Sequence, residues 1–271
     1  MELRRSFAFF LSAFLAISIV SATAQSPSDD EFMLGVQSYK HSNFEEAIQH
    51  FEKSVELNSS NTRARLYLAT AYTQQYIPGA DTPDNNELGA KAVEQYRRVI
   101  ELGAEKDGML NAVKGIAYLS LQMKRFEEAR DYYRKAAELD KDDPEPYYSI
   151  GVIDWTLTYQ PRQEERAKLG LKPEESLPAR NPATCAMMRG KNWVIIQDGI
   201  DNFSKALQLR PDYDDAMAYM NLMYRERADV QCDDPAAGED DLKAADDWVD
   251  KTMAVKKSKQ EKAEAFRKLK H

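Results

Sequence analysis

The stretch that decides the fold is Arg125–Gly151, RFEEARDYYRKAAELDKDDPEPYYSIG. Phe126, Ala129, Tyr133, Ala136 and Leu139 recur at spacings of three and four, which places them on one face of a helix. Asp140 to Pro144 interrupt that helix, and Tyr147, Ile150 and Gly151 open another. The small residues Ala129, Ala136 and Gly151 fall where two such helices would cross closely. The stretch is therefore the end of one helical unit and the start of the next.

The same pattern can be followed outward in both directions. A first unit, 28–61, carries Leu34, Gly35 and Tyr39 on one helix and Phe44, Ala47, Phe51 and Val55 on the next. Asn43 is a residue type that caps a helix, and Glu45 and Glu46 suit the positive end of its dipole. A second unit, 62–106, places Leu68, Ala69 and Tyr72 before Ala92, Tyr96, Val99 and Leu102. Pro78, Gly79 and Pro83 break the chain between them, and the 45-residue step from Ala47 to Ala92 implies an insertion of about 11. A third unit spans 110–143. A fourth, 144–213, has its second helix delayed to Gly199, Phe203 and Ala206, so that residues 161–191 form a long insertion with a charged run and a proline-rich link. A fifth, 214–253, pairs Met217, Met220, Leu222 and Tyr224 with Leu242, Ala245, Trp248, Val249 and Met253 across a loop at Cys232–Gly238. Residues 254–271 form a basic, helix-prone tail, read either as a solvated cap or as a segment that binds acidic groups.

This arrangement resembles the tetratricopeptide repeat, a helix–turn–helix unit of about 34 residues. The resemblance covers nearly all of residues 28–253, with insertions in units 2, 4 and 5. There are departures: the large first-helix aromatic of the family is replaced by Glu31, Arg65 and Val113 in the first three units and appears as Tyr147 in the fourth. Gly199 stands where the second helix carries alanine. The resemblance implies an all-α solenoid, a right-handed superhelix of antiparallel helix pairs with the first helices lining a concave groove. Carried across, the groove positions are Phe32, Val36 and Tyr39, then Leu66 and Thr70, then Lys114, Tyr118 and Leu121, then Tyr148, Val152 and Trp155, and finally Leu222 and Arg225. Exposed aromatics of this kind mark protein-interaction surfaces able to take an amphipathic helix or an extended peptide. The members that clamp a C-terminal carboxylate use Lys and Asn where this chain has Phe32 and Val36, which argues against that ligand class.

The N-terminus reads as a secretory leader over 1–24. Arg4 and Arg5 precede an apolar run from Phe7 to Val20, and Ala22-Thr23-Ala24 supply the small-residue cleavage pattern. The apolar run is shorter than the ~20 residues a spanning helix needs, and no later stretch of the mature chain is apolar enough to cross a bilayer. Cleavage after Ala24 removes Arg4, Arg5 and Glu2, taking the formal charge from −8 to about −9. That acidic balance argues against nucleic acid as a partner. A periplasmic or secreted location permits a disulfide between the two cysteines, Cys185 and Cys232, which are expected between paired helices at one edge of the array; the alternative is two unpaired thiols.

No catalytic constellation is present: there is no nucleophile elbow, phosphate-binding glycine loop or HExxH. His41, His50 and His271 and the two cysteines make no metal-ligand set, and no cofactor is expected. Paired carboxylates such as Asp233-Asp234 and Asp240-Asp241 read as solvated faces and helix starts. The expected function is a non-enzymatic scaffold that holds a protein or peptide partner in its groove. The alternative is an assembly component of an envelope complex, acting by self-association or through the 161–191 insertion.

Overall fold

The computed structural model describes residues 26–172 and 175–269, so the leader read over 1–24 lies outside the described residues, as do Pro173 and His271. Eleven helices follow one another: α1 Pro27–Lys40, α2 Phe44–Leu57, α3 Thr62–Gln75, α4 Pro83–Glu101, α5 Lys106–Gln122, α6 Phe126–Leu139, α7 Pro144–Lys168, α8 Leu177–Arg180, α9 Pro182–Leu209, α10 Asp214–Ala228 and α11 Pro235–Leu269. They form the antiparallel pairs α1/α2, α3/α4, α5/α6, α7/α9 and α10/α11, and each pair packs on the next. This is an all-α solenoid. First helices also touch along the array, α1 with α3, α3 with α5 and α7 with α10, whereas second helices do not approach one another to that degree. An array whose first helices lie closer together than its second helices must curve toward the first-helix side. The face of α1, α3, α5, α7 and α10 is therefore the concave one.

Local chemistry explains where the helices start and stop. Ser26, Thr82, Asp143, Ser176 and Asn181 each accept a backbone N–H from the first turn of the following helix, with proline just inside it. Asn43 departs from its expected role. Its side chain makes no cap bond, and its amide instead donates to Glu46 at 3.4 Å. The turn is closed by the backbone: Ser42 adopts φ 62°, and the Asn43 N–H donates to Ser38 O at 2.9 Å. The same turn recurs between α5 and α6, with Lys124 at φ 59° and the Arg125 N–H on Ser120 O at 2.8 Å.

Close helix crossings rest on glycine facing an aromatic ring. A Cβ on Gly35 would meet the Phe51 ring at 2.5 Å, and one on Gly151 would meet the Phe203 ring at 2.6 Å. Phe51 and Phe203 are fully buried and anchor the two largest apolar clusters, one spanning α1 to α5 and the other α7 to α11.

The two inserted segments are built differently. In the second pair, the Asn85 side chain ties residues 76–82 together, accepting the Ile77 N–H at 2.7 Å and donating to Ile77 O and Ala80 O at 2.9 and 2.7 Å. In the fourth pair, most of the insertion becomes helix. α7 continues through Pro161 to 25 residues, and α9 starts early enough to reach 28. An interior proline removes one helix hydrogen bond and costs about 3 kcal/mol. Offsetting it, Arg162 and Arg166 on the next turns are held by Glu226 and Asp229 of the α10 end, at 3.1 and 2.8 Å. Arg166 also donates to Lys172 O and Glu175 O at 2.5 and 2.9 Å, drawing the α7–α8 link over the cluster.

Cys185 and Cys232 form a disulfide, with their Cα atoms 5.7 Å apart. Cys232 lies in the α10–α11 loop, but Cys185 lies in the first turn of α9 rather than between helices, because α9 starts at Pro182. The bridge thus ties the free end of the lengthened helix to the last pair.

Candidate functional site

The concave face carries two aromatic groups separated by α5. In the first, Tyr67 of α3 packs edge-on to Phe32 at 5.3 Å and to Tyr39 at 6.3 Å. Phe32 is almost wholly buried beneath it, with the Arg63 guanidinium 4.9 Å from the ring centre, so Phe32 supports the surface instead of lining it. Val36, Tyr39 and Leu66 are half-buried against the same cluster. Burial pushes the Tyr39 hydroxyl up from its ordinary range, so it acts as a neutral donor or acceptor. Thr70 turns its hydroxyl back to Leu66 O at 2.8 Å.

On α5, Tyr118 is 40% exposed, Leu121 packs against the core, and Lys114 makes an ion pair with Asp143 at the start of α7. The second group lies on α7 and α10. Trp155 stacks on Tyr159 at 4.7 Å and meets Tyr219 edge-on at 5.3 Å; Tyr219 stacks on the buried Phe203 at 5.6 Å. Tyr148 is wedged against Tyr213 at 4.8 Å, and burial raises its hydroxyl pKa beyond any physiological range. Val152, Leu222 and Arg225 are partly exposed around this group, and Arg225 donates to Asp246 at 2.6 Å.

Trp155, Tyr159, Arg162 and Arg166 follow one another at steps of four, three and four, so they share one side of α7. The aromatic stripe thus runs directly into the arginine pair. There a cleft of about 550 Å³ opens between α7, the α8 link, α10 and α11, lined by Arg162, Arg166, Ser176, Asp229 and Gln231 among others. Glu226, which pairs with Arg162 of the lining, is buried, and desolvation raises its pKa to about 7 against the opposing pull of Arg162. The structure brings Tyr148 and Trp155, expected in the fourth pair, together with Tyr219 of the fifth, which was not expected. The first and third units contribute to separate places along the same face.

Three exposed or half-exposed aromatics escape the sequence pattern: Tyr67, Tyr159 and Tyr219. Tyr159 could have been found, because it lies four residues after Trp155 on a helix that continues. Tyr67 follows Leu66 by one residue, and only the packing of Phe32 beneath it shows which of the two points outward.

Among the described residues, no group of three His, Cys, Asp or Glu side chains is placed to hold a metal ion, and no helix is long and apolar enough to cross a membrane.

Comparison with known proteins agrees with this architecture. Residues 115–143 match the tetratricopeptide repeat family. No curated protein matches the sequence. Among solved structures, MamA residues 41 to the end from Desulfovibrio magneticus RS-1 aligns with a TM-score of 0.56 at 14% identity, covering 87% of this chain and 98% of that one. A crystal structure of MamA protein aligns with a TM-score of 0.55 at 13% identity, over 84% of this chain and 94% of that one. YrrB, described as a TPR protein with an unusual peptide-binding site, aligns with a TM-score of 0.52 at 13% identity, over 88% of this chain and 100% of that one. The likeness to these structures is one of fold. Residues 115–143 thus carry a tetratricopeptide repeat, and the array as a whole has the fold of tetratricopeptide-repeat structures.

Proposed function

We propose that the protein is a non-enzymatic scaffold of the periplasm that holds an extended peptide or a helix of a protein partner along its concave face. The observation that carries this reading is the solvent-reaching aromatic row on first helices, Tyr67, Tyr118 and the stacked Trp155–Tyr159 pair. Aromatic rings fixed by packing offer large contact area at little entropy cost on binding. YrrB, a protein of the same fold with a peptide-binding site of its own, supports the ligand class. The Arg4–Ala24 leader pattern supports export, and the Cys185–Cys232 bridge is in keeping with an oxidising compartment.

The test replaces Tyr67, Tyr118 and Tyr159, three side chains that reach solvent, by Ala. Photo-cross-linking from these positions in the native envelope should trap one partner segment, and the triple variant should lose it while keeping the wild-type helical circular-dichroism spectrum at room temperature. A folded triple variant that still captures the same segment in full would refute the groove. Fractionation with N-terminal sequencing checks the location: a mature chain beginning at Gln25 in the periplasmic fraction is expected, and an uncleaved chain in the cytoplasm would refute it.

A further inference from the structure

The last helix ends in a seat that no described segment of the chain fills. Counted from the central small residue, α6 places Phe126 three before Ala129, Tyr133 four after it and Ala137 eight after it. Tyr133 and Ala137 are buried, and Phe126 and Tyr133 pack in the cluster that holds Ile150 and Ile153 of the following helix, α7. Counted the same way from Ala245, α11 offers Leu242, Val249 and Met253. With no helix after α11 among the described residues, these three stand 44, 40 and 63% exposed. α11 packs on α10 through Asp241, Ala245, Trp248 and Thr252, about a quarter-turn away from the open stripe. A helix laid on that stripe as α7 lies on α6 would run antiparallel to α11.

The charge on α11 says which helix that is. Residues 235–250 hold six carboxylates and one lysine, and residues 251–269 hold seven basic side chains and two glutamates. Internal contacts use few of them: Asp241 with Arg227, Asp246 with Arg225 and Lys259 with Asp214. A helix negative in its first half and positive in its second repels a parallel copy of itself and attracts an antiparallel one. We propose that α11 pairs antiparallel with α11 of a second copy of this chain, closing a two-fold dimer. Centred on Lys251, the pairing sets Val249 of each copy beside Met253 of the other and Asp246 beside Lys256. Each such contact occurs twice, as a two-fold interface requires. The dimer joins two arrays at their C-terminal ends and leaves both concave faces open.

Sedimentation equilibrium on protein produced from the full-length sequence tests this. A dimer is expected at about 0.05 M salt, weakening at least about tenfold by 0.5 M as the opposed halves are screened. Val249→Glu with Met253→Glu should raise the dissociation constant about 100-fold or more and leave the circular-dichroism melt unchanged. Asp246→Lys with Asp250→Lys sets like positive charges across the two-fold, and Lys256→Glu with Lys257→Glu sets like negative ones. Each variant alone should be monomeric, and a mixture of the two should form a heterodimer. A wild-type chain still monomeric at about 100 micromolar and low salt overturns the proposal, as does a dimer that survives the Val249/Met253 change or swapped variants that fail to pair. Of these residues only Asp246 touches the groove, through Arg225, and the Val249/Met253 change avoids it, so such a failure leaves the groove reading standing.

Discussion

The first three helix pairs and the last two follow the same repeat plan, but they are held together by different means. From α1 to α6 the helices run 14 to 19 residues, and the pairs are fastened by alanine, glycine and aromatic packing, with ion pairs such as Lys91–Glu87 and Arg98–Glu101 on the surface. From α7 onward three of the four long helices are stretched to 25, 28 and 35 residues, and charge goes inside. Arg130 of α6 lies 3.0 Å from the fully buried Asp154 and shares Asp198 of α9 with Arg134. Arg162 and Arg166 hold Glu226 and Asp229. The difference teaches that a regular unit needs only size complementarity at its crossings. An oversized one needs directional partners to fix where the extra turns lie. Buried pairs add less net stability than they add definition of register.

Breaking one of those partners should give the largest effect. At about pH 9, where Asp154 is ionised, Arg130→Ala strips its carboxylate of the nearest cation and should cost about 3 kcal/mol or more in urea unfolding, with the loss concentrated in the amide-exchange protection of α7 and α9. An equivalent cut at a surface pair of the first half, Arg98→Ala, should cost less than about 1 kcal/mol. Equal losses at the two sites would remove the contrast.

Next comes the bridge. Reduction, or Cys185→Ser with Cys232→Ser, should lower stability by about 2–4 kcal/mol, again in the second half alone. Intact-mass analysis of oxidised protein under alkylation should find no reactive thiol.

Acidity sharpens the same comparison. Burial raises Asp154 to a pKa of about 8 against the pull of Arg130, and raises Glu226 to about 7. Both folded values exceed the unfolded ones, so the folded state binds more protons between about pH 4 and 8. The contribution of these groups is complete below the unfolded pKa and is lost as pH rises through the folded one. Stability of the α7–α11 half should therefore fall from about pH 5 to about pH 8.5, and Asp154→Asn should flatten that slope while the α1–α4 signal stays level.

Smallest is the turn effect. Ser42→Gly and Lys124→Gly relieve a side chain in the left-handed region and should change stability by no more than about 1 kcal/mol in the stabilising direction, equally in the first and third pairs.

The repeat plan was legible because Gly35, Ala47, Ala129, Ala136 and Gly151 sit at small-residue positions that any close helix crossing demands, whatever surrounds them. Tyr148, Val152 and Trp155 on α7 came from the family resemblance, and the structure leaves all three half-buried. Three features were hidden. Asn43 has capping chemistry, but the backbone turn at Ser42 satisfied the same groups first. The insertion was read as beginning at Pro161, and only the three-dimensional pairing of Arg162 and Arg166 with the α10 end explains why α7 runs on through it. The partner face of α11 read as Leu242, Ala245, Trp248, Val249 and Met253; Ala245 and Trp248 do pack on α10, together with Asp241 and Thr252, whereas Leu242, Val249 and Met253 stay exposed. A periodic pattern identifies faces, and it is silent on which neighbour each face meets.

The disulfide has a mechanical consequence. A solenoid pulled from its ends yields in series, one pair after another, and the pairs share the load. The 47-residue separation between Cys185 and Cys232 is short-circuited by a covalent bond. Stretched fully, the oxidised chain is shorter than the reduced one by roughly 160 Å, at ~3.4 Å per residue. Most of α9 and all of α10 carry no tension at all until the bond is cut. The segment just before the open helix is thus the one that cannot be drawn out while the bond stands.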